Sequence, residues 1–160
     1  MLDVVRSRRS MATGLIYLSE PVSGRKLMVS KQSKLQDYYN RLMNKLNQRG
    51  ITKHVIKYSG ERIYRTLIDE NPHSKEMIPG IFFEWDNTPR HGYRGYIITP
   101  PKQETFLEYM DLIKDSDYVI VNAWNEWAEG MMLEPSTELG FRYLEWIKNW
   151  AEQKVDPQEK

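Results

Sequence analysis

The chain has 160 residues, 40% of them hydrophobic, and its five tryptophans and ten tyrosines exclude a disordered polymer. It has no cysteine, which excludes disulfides, and no apolar run nears the ~20 residues of a membrane span. The net charge of +1 conceals a basic stretch, 14 Lys/Arg against 4 Asp/Glu in residues 1–65, and an acidic one, 9 against 18 in residues 66–160. A basic segment can attract nucleic acid, acidic lipid or phosphate. Without an aromatic-rich nucleic-acid motif it reads as a solvated helix with an irregular lead-in, and no nucleic-acid partner is expected. The apolar stretch Met11 to Leu18 is interrupted by Thr13 and Gly14 and does not qualify as a signal peptide, so the expectation is a cytoplasmic chain.

Residues 1–34 mix basic residues with Gly14, Pro21, Ser23 and Gly24, the composition of a loop-rich lead-in. Leu35, Tyr38, Tyr39, Leu42, Met43 and Leu46 then recur at three and four residues, which predicts a helix to Arg49, with Ser33 as N-cap and Gly50 at C′. A short strand is expected within Ile51 to Tyr58 and a helix over Glu61 to Asp69, built on Ile63, Tyr64, Leu67 and Ile68. The apolar run Pro79 to Trp85 reads as a strand buried on both faces that leads into the polar loop WDNTPR. Pro100 and Pro101 open a further helix, with Glu104 in its first turn and Phe106, Leu107, Met110 and Ile113 on one face. Asp117 to Ala123 reads as a second buried strand. Glu138 to Ala151 reads as a closing helix that buries Leu139, Tyr143, Trp146, Ile147 and Trp150. This order implies a βαβα unit of parallel strands, and no hairpin signal stands against it.

Chemistry concentrates after the two strands. The stretch Asn122 to Gly130 sets Glu126 and Glu129 three residues apart between Trp124 and Trp127. Indole faces stack on sugar C–H surfaces, and two carboxylates can share the proton transfers at a glycosidic bond. In a parallel α/β architecture this loop and WDNTPR emerge on the same face. Trp85, Asp86, Asn87 and Arg90 then supply a ring, an acceptor, an amide and a fixed cation for sugar hydroxyls or a phosphate. Their plainer use is a capped turn in which Arg90 pairs with Asp86. Asn125 is suited to orienting a glutamate or a hydroxyl, and Glu134 to the substrate or to loop order. Asp115-Ser116-Asp117 matches the Asp-x-Asp of metal-dependent sugar-nucleotide transferases, but it precedes its strand and so falls on the opposite face. His54, His73 and His91 have no metal-ligand spacing, and no phosphate loop or dinucleotide fingerprint occurs. Neither a metal nor a cofactor is expected.

The run NAWNEWAEGMMLEP, with WDNTPR upstream and LGFRYLEW after it, resembles the WbsX-type glycosyltransferase family, also described as glycoside hydrolase family 99-like. The resemblance covers roughly residues 55–150. It implies a (β/α)8 TIM-like barrel with its site at the carboxyl ends of the strands, and a role in surface polysaccharide biosynthesis. The hydrolase relatives are retaining α-mannosidases with a carboxylate pair in this Glu-x-x-Glu position. By that resemblance Glu129 is the general acid/base, and Glu126 activates the sugar from the other side, directly or through its 2-hydroxyl. The expected partner is a glycan or oligosaccharide, with a sugar nucleotide if the reaction is transfer. A whole barrel takes about 250 residues. The chain is therefore expected to be its C-terminal part, the missing N-terminal half of the barrel being a further partner. Residues 1–50 would form a basic lead-in with one helix, 51–152 the domain and 153–160 a polar tail. An α-mannosidase-like hydrolase and an inactive, glycan-binding fragment are the alternatives.

Overall fold

A computed structural model describes residues 34–70 and 79–154; Ser33, His73, the basic lead-in before residue 34 and the tail from residue 155 lie outside them. The first helix, α1 (Lys34–Gln48), stops as its sequence predicts. Gly50 takes φ +70, the Ile51 amide donates to the Leu46 carbonyl at 2.9 Å and the Gly50 amide to that of Asn47 at 3.0 Å, the paired bonds of a Schellman stop. The apolar stripe on α1 is not buried, however: Tyr38 is 69% exposed, and Tyr39 and Leu42 are each 41% exposed. The helix end is instead held by the buried amide of Asn47, which donates to the carbonyls of His54 and Tyr93.

Strand β1 (Ile56–Ser59) occupies only the end of the predicted segment and runs straight into α2 (Gly60–Glu70). Gly60 is required at that corner, because a Cβ there would overlap the backbone carbonyl oxygen of Thr99. Then follow β2 (Gly80–Phe82), β3 (Trp85–Asp86), the short helix α3 (Thr88–His91), a 3-10 turn (Gly92–Arg94) and β4 (Tyr96–Thr99). The remaining elements are α4 (Gln103–Leu112), β5 (Ile120–Asn122), β6 (Asn125–Glu126), a 3-10 turn (Trp127–Glu129), β7 (Met131–Met132) and α5 (Arg142–Lys154). Helix α5 begins four residues later than its periodicity suggests. Gly140, at φ +58, and Ser136 close a turn on each other, and the Ser136 hydroxyl accepts the Leu139 amide.

The fold is mixed α/β with parallel strands in places. Strand β1 pairs in parallel with β4, Ile56 opposite Tyr96, and β2 pairs in parallel with β5, Gly80 opposite Ile120. The expectation of parallel strands alone is corrected at two points. Strand β3 lies antiparallel to β4, with Trp85 opposite Ile98, because α3 and the following turn reverse the chain within a few residues. Strands β6 and β7 form a hairpin, Asn125 opposite Met132, closed by Gly130 in the left-handed region at φ +58. The described strands thus form three small sheets.

The core lies where α2, α4 and α5 meet β2. Phe83 stacks on Tyr143 at 4.2 Å between ring centres, and Tyr64 on Phe82 at 4.9 Å. The fully buried Tyr64 hydroxyl donates to the Phe82 carbonyl at 2.6 Å and accepts the Phe82 amide at 2.9 Å, so a side chain from α2 serves as hydrogen-bond partner to strand backbone. The expected second buried strand is corrected too. Tyr118 is 72% exposed and Val119, Ile120 and Val121 are 36%, 38% and 36% exposed, because β5 is flanked by β2 on one side only among the described residues. No described helix is long and apolar enough to cross a membrane.

Candidate active site

The antiparallel excursion of β3 carries the chain from the buried Phe83 into the loop. Trp85, 1% exposed, stands against Tyr96 of β4 at 4.4 Å between ring centres. Asp86 accepts the Thr88 amide at 2.8 Å and so helps start α3, where Pro89 supplies the fixed φ of a first turn. Asn87 is buried, and its side-chain oxygen accepts the Tyr96 amide at 2.9 Å. Both side chains shape the loop from within. Their consequence is the position of Arg90, one helical turn on.

The second loop meets the first at Glu129. The Trp85 indole N–H donates to Glu129 Oε2 at 2.7 Å, and Arg90 Nη1 donates to Oε1 at 3.2 Å. With one donor on each oxygen and 7% exposure, the Glu129 carboxylate is fixed in place. Arg90 Nη2 also lies 3.7 Å from Glu126 Oε1, so one guanidinium spans both carboxylates. Arg90 reaches Glu129 across 39 residues of sequence, beyond the Asp86 pairing that a local turn offers. Glu126 is the more open of the two, its side chain 25% exposed.

Trp124 and Trp127 each leave about half their surface free, at 51% exposure, in reach of a ligand face. The Trp127 indole N–H donates to Glu134 Oε2 at 2.7 Å, and the Glu134 amide donates to the Trp124 carbonyl at 2.8 Å. Glu134 therefore orders both tryptophan segments. Asn125 is exposed on β6, and His91 is exposed at the end of α3. Asp115 and Asp117 are exposed in the turn before β5, at the opposite end of that strand from Glu126. Among the described residues no group of three or more His, Asp or Glu is arranged to hold a metal.

Sequence reasoning passed over Glu84. The Tyr143 hydroxyl of α5 donates to Glu84 Oε1 at 3.1 Å, directly behind Trp85. Burial raises the Glu84 carboxyl above the usual carboxylate range, against the Tyr143 bond and nearby Arg142, which pull it down. Burial and the neighbouring Glu84 push the Tyr143 phenol well up as well. The signal available was composition: Glu84 is the one charged residue in the apolar run Pro79 to Trp85.

The described residues form a mixed α/β protein that sets two carboxylates under one arginine, with indoles within and beside them. The chain belongs to the glycosyltransferase WbsX family, whose model matches residues 7–147. It is also similar to the uncharacterized protein WxcX from two strains of Xanthomonas campestris pv. campestris. The identity with each is 32% over 78 residues, covering 43% of this chain and 11% of the relative. The chain thus spans about a tenth of the length of these curated relatives. No solved structure matches it.

Proposed function

We propose that the chain is the C-terminal part of a (β/α)8 TIM-like barrel glycosyltransferase that acts on glycans in cytoplasmic steps of surface polysaccharide biosynthesis. The convergence of Trp85, Arg90, Glu126 and Glu129 from two distant loops carries this reading. Glu129 is the general acid/base, held in one orientation by its two donors. Glu126 is the more accessible carboxylate and activates the sugar from the other side, directly or through its 2-hydroxyl. A glycosyl centre develops oxocarbenium character in such reactions, and two carboxylates over one guanidinium present the complementary sign. Trp124 and Trp127 offer ring faces to the sugar, with Asn125 at their side. Asp86, Asn87 and Glu134 support the substrate loops. For the barrel, the supporting features are the parallel β2/β5 pair with α4 between them in sequence, and the apolar outer edge of β5.

The test is turnover by the intact polypeptide that carries this segment, offered candidate sugar nucleotides with acceptor glycans, or oligosaccharides alone. Transfer from a sugar nucleotide is expected, and release from an oligosaccharide without nucleotide would instead assign a hydrolase. Glu129→Gln and Glu126→Gln should each lower turnover by about 10² to 10⁴, the usual contribution of general acid–base catalysis. Glycan binding should survive both changes. If Asp115→Asn or Asp117→Asn abolishes turnover and the glutamine variants retain it, the assignment fails.

A further inference from the structure

Helices α4 and α5 begin side by side and leave an open cavity of about 680 Å³ between their first turns, with neither Glu126 nor Glu129 in its lining. That volume is within the range of small-molecule sites. Its aromatic lining is Trp146 with Tyr143. Trp146 packs at 5.3 Å from the Tyr143 ring and 5.7 Å from Phe106, and it remains partly exposed. Pro101 forms a second apolar wall, while Lys102, Gln103 and Arg142 stand at the rim beside Glu104. The N-cap of α4 is Lys102, which makes no side-chain cap bond.

We propose that this cavity is a second saccharide-binding subsite, which takes hexose units of a glycan chain. An indole face beside proline matches the C–H surface of a pyranose. The amide, carboxylate and cationic groups around it supply donors and acceptors in the mixture that a ring of hydroxyls requires. An anion alone would not call for Glu104 among the cations. The subsite is distinct from the paired glutamates, and its occupancy does not depend on their being catalytic. Its connection to them is structural: Tyr143, which lines the cavity, holds Glu84, and the next residue, Trp85, holds Glu129.

The experiment uses the five tryptophan indole N–H signals of the chain as reporters, one for each of Trp85, Trp124, Trp127, Trp146 and Trp150. Mannotriose, maltotriose, trigalacturonate and inorganic phosphate are titrated separately and followed by heteronuclear NMR. At least one trisaccharide should shift the Trp146 signal saturably. Replacing two polar lining groups together, Gln103→Ala with Arg142→Ala, should weaken that response by at least roughly fivefold, the loss of about one hydrogen bond. Three results would overturn the proposal: no trisaccharide moves Trp146, only phosphate moves it, or sugars move Trp124 and Trp127 alone. The last of these would leave the paired-glutamate reading standing.

Discussion

Tyr64→Phe isolates one hydroxyl that stands in for a strand partner. The ring contacts with Phe82 at 4.9 Å and Tyr109 at 5.2 Å remain, so the substitution removes two hydrogen bonds and little packing. The buried Phe82 amide and carbonyl are then left without the 2.9 Å and 2.6 Å bonds they make. An unsatisfied buried polar group costs about 1–3 kcal/mol, partly offset because the variant no longer buries a hydroxyl. The expected loss is about 2–4 kcal/mol, a large part of a typical stability of roughly 5–15 kcal/mol. With a urea slope of about 1–3 kcal/mol per molar, the midpoint should fall by about 1–2 M at unchanged slope. Exchange of the Phe82 amide should quicken in parallel. A loss below about 0.5 kcal/mol, the size of an ordinary surface change, would refute the claim that this hydroxyl satisfies the strand.

Gly60→Ala sets a Cβ against the Thr99 carbonyl, with Pro101 N at 3.2 Å and Pro100 C at 3.3 Å, all backbone, and should cost roughly 2–3 kcal/mol. Gly50→Ala, with open space around it and only positive φ against it, should cost about 1 kcal/mol; urea titration of the two variants checks the contrast. Burial pushes the Tyr109 phenol up to about 12 and raises that of Tyr64 well above its ordinary value. Unfolded tyrosines ionise near ~10, so this stability is intact below that pH and is lost as pH rises from there through the folded values. Denaturation at stepped pH should show the decline, with phenolate absorbance rising together with unfolding. Arg90→Lys keeps a cation but cannot span Glu126 and Glu129 with two nitrogens of one plane, so turnover of the intact enzyme should fall at least about tenfold with the fold retained.

What could be read in the sequence was whatever a short window determines. The stop at Gly50, the helix through Ile63, Tyr64 and Leu67 and the buried run at Ile81 to Phe83 each follow from local periodicity or backbone geometry. Strand β4 was left unassigned although Tyr96 to Thr99 is apolar, because four residues between a Gly-rich turn and two prolines are too few to show a period. The β6 and β7 hairpin escaped for the same reason, with two residues in each strand. Periodicity predicted the α1 helix but not what covers it, and its stripe of Tyr38, Tyr39 and Leu42 is open. Within the site, the indole and carboxylate inventory was legible. The bonds from Trp85 and Arg90 to Glu129 were not, because they join loops 44 and 39 residues apart.

These two kinds of feature divide the molecule. The side-chain contacts to the two glutamates come from Trp85 and Arg90, and Trp85 belongs to the same buried cluster as Tyr64, Phe83, Phe106 and Tyr143. Beside the half-exposed Trp124 and Trp127 of the site, apolar surface is also exposed along Tyr118 to Val121 and on α1. An uncovered apolar edge is the feature that folded proteins pair, cover or charge, and here Tyr118 to Val121, which leads into the three-residue β5, carries no charged residue. Among the described residues, the side-chain contacts that position Glu126 and Glu129 come from Arg90 and Trp85. Covering the β5 edge would change how firmly those contacts are held.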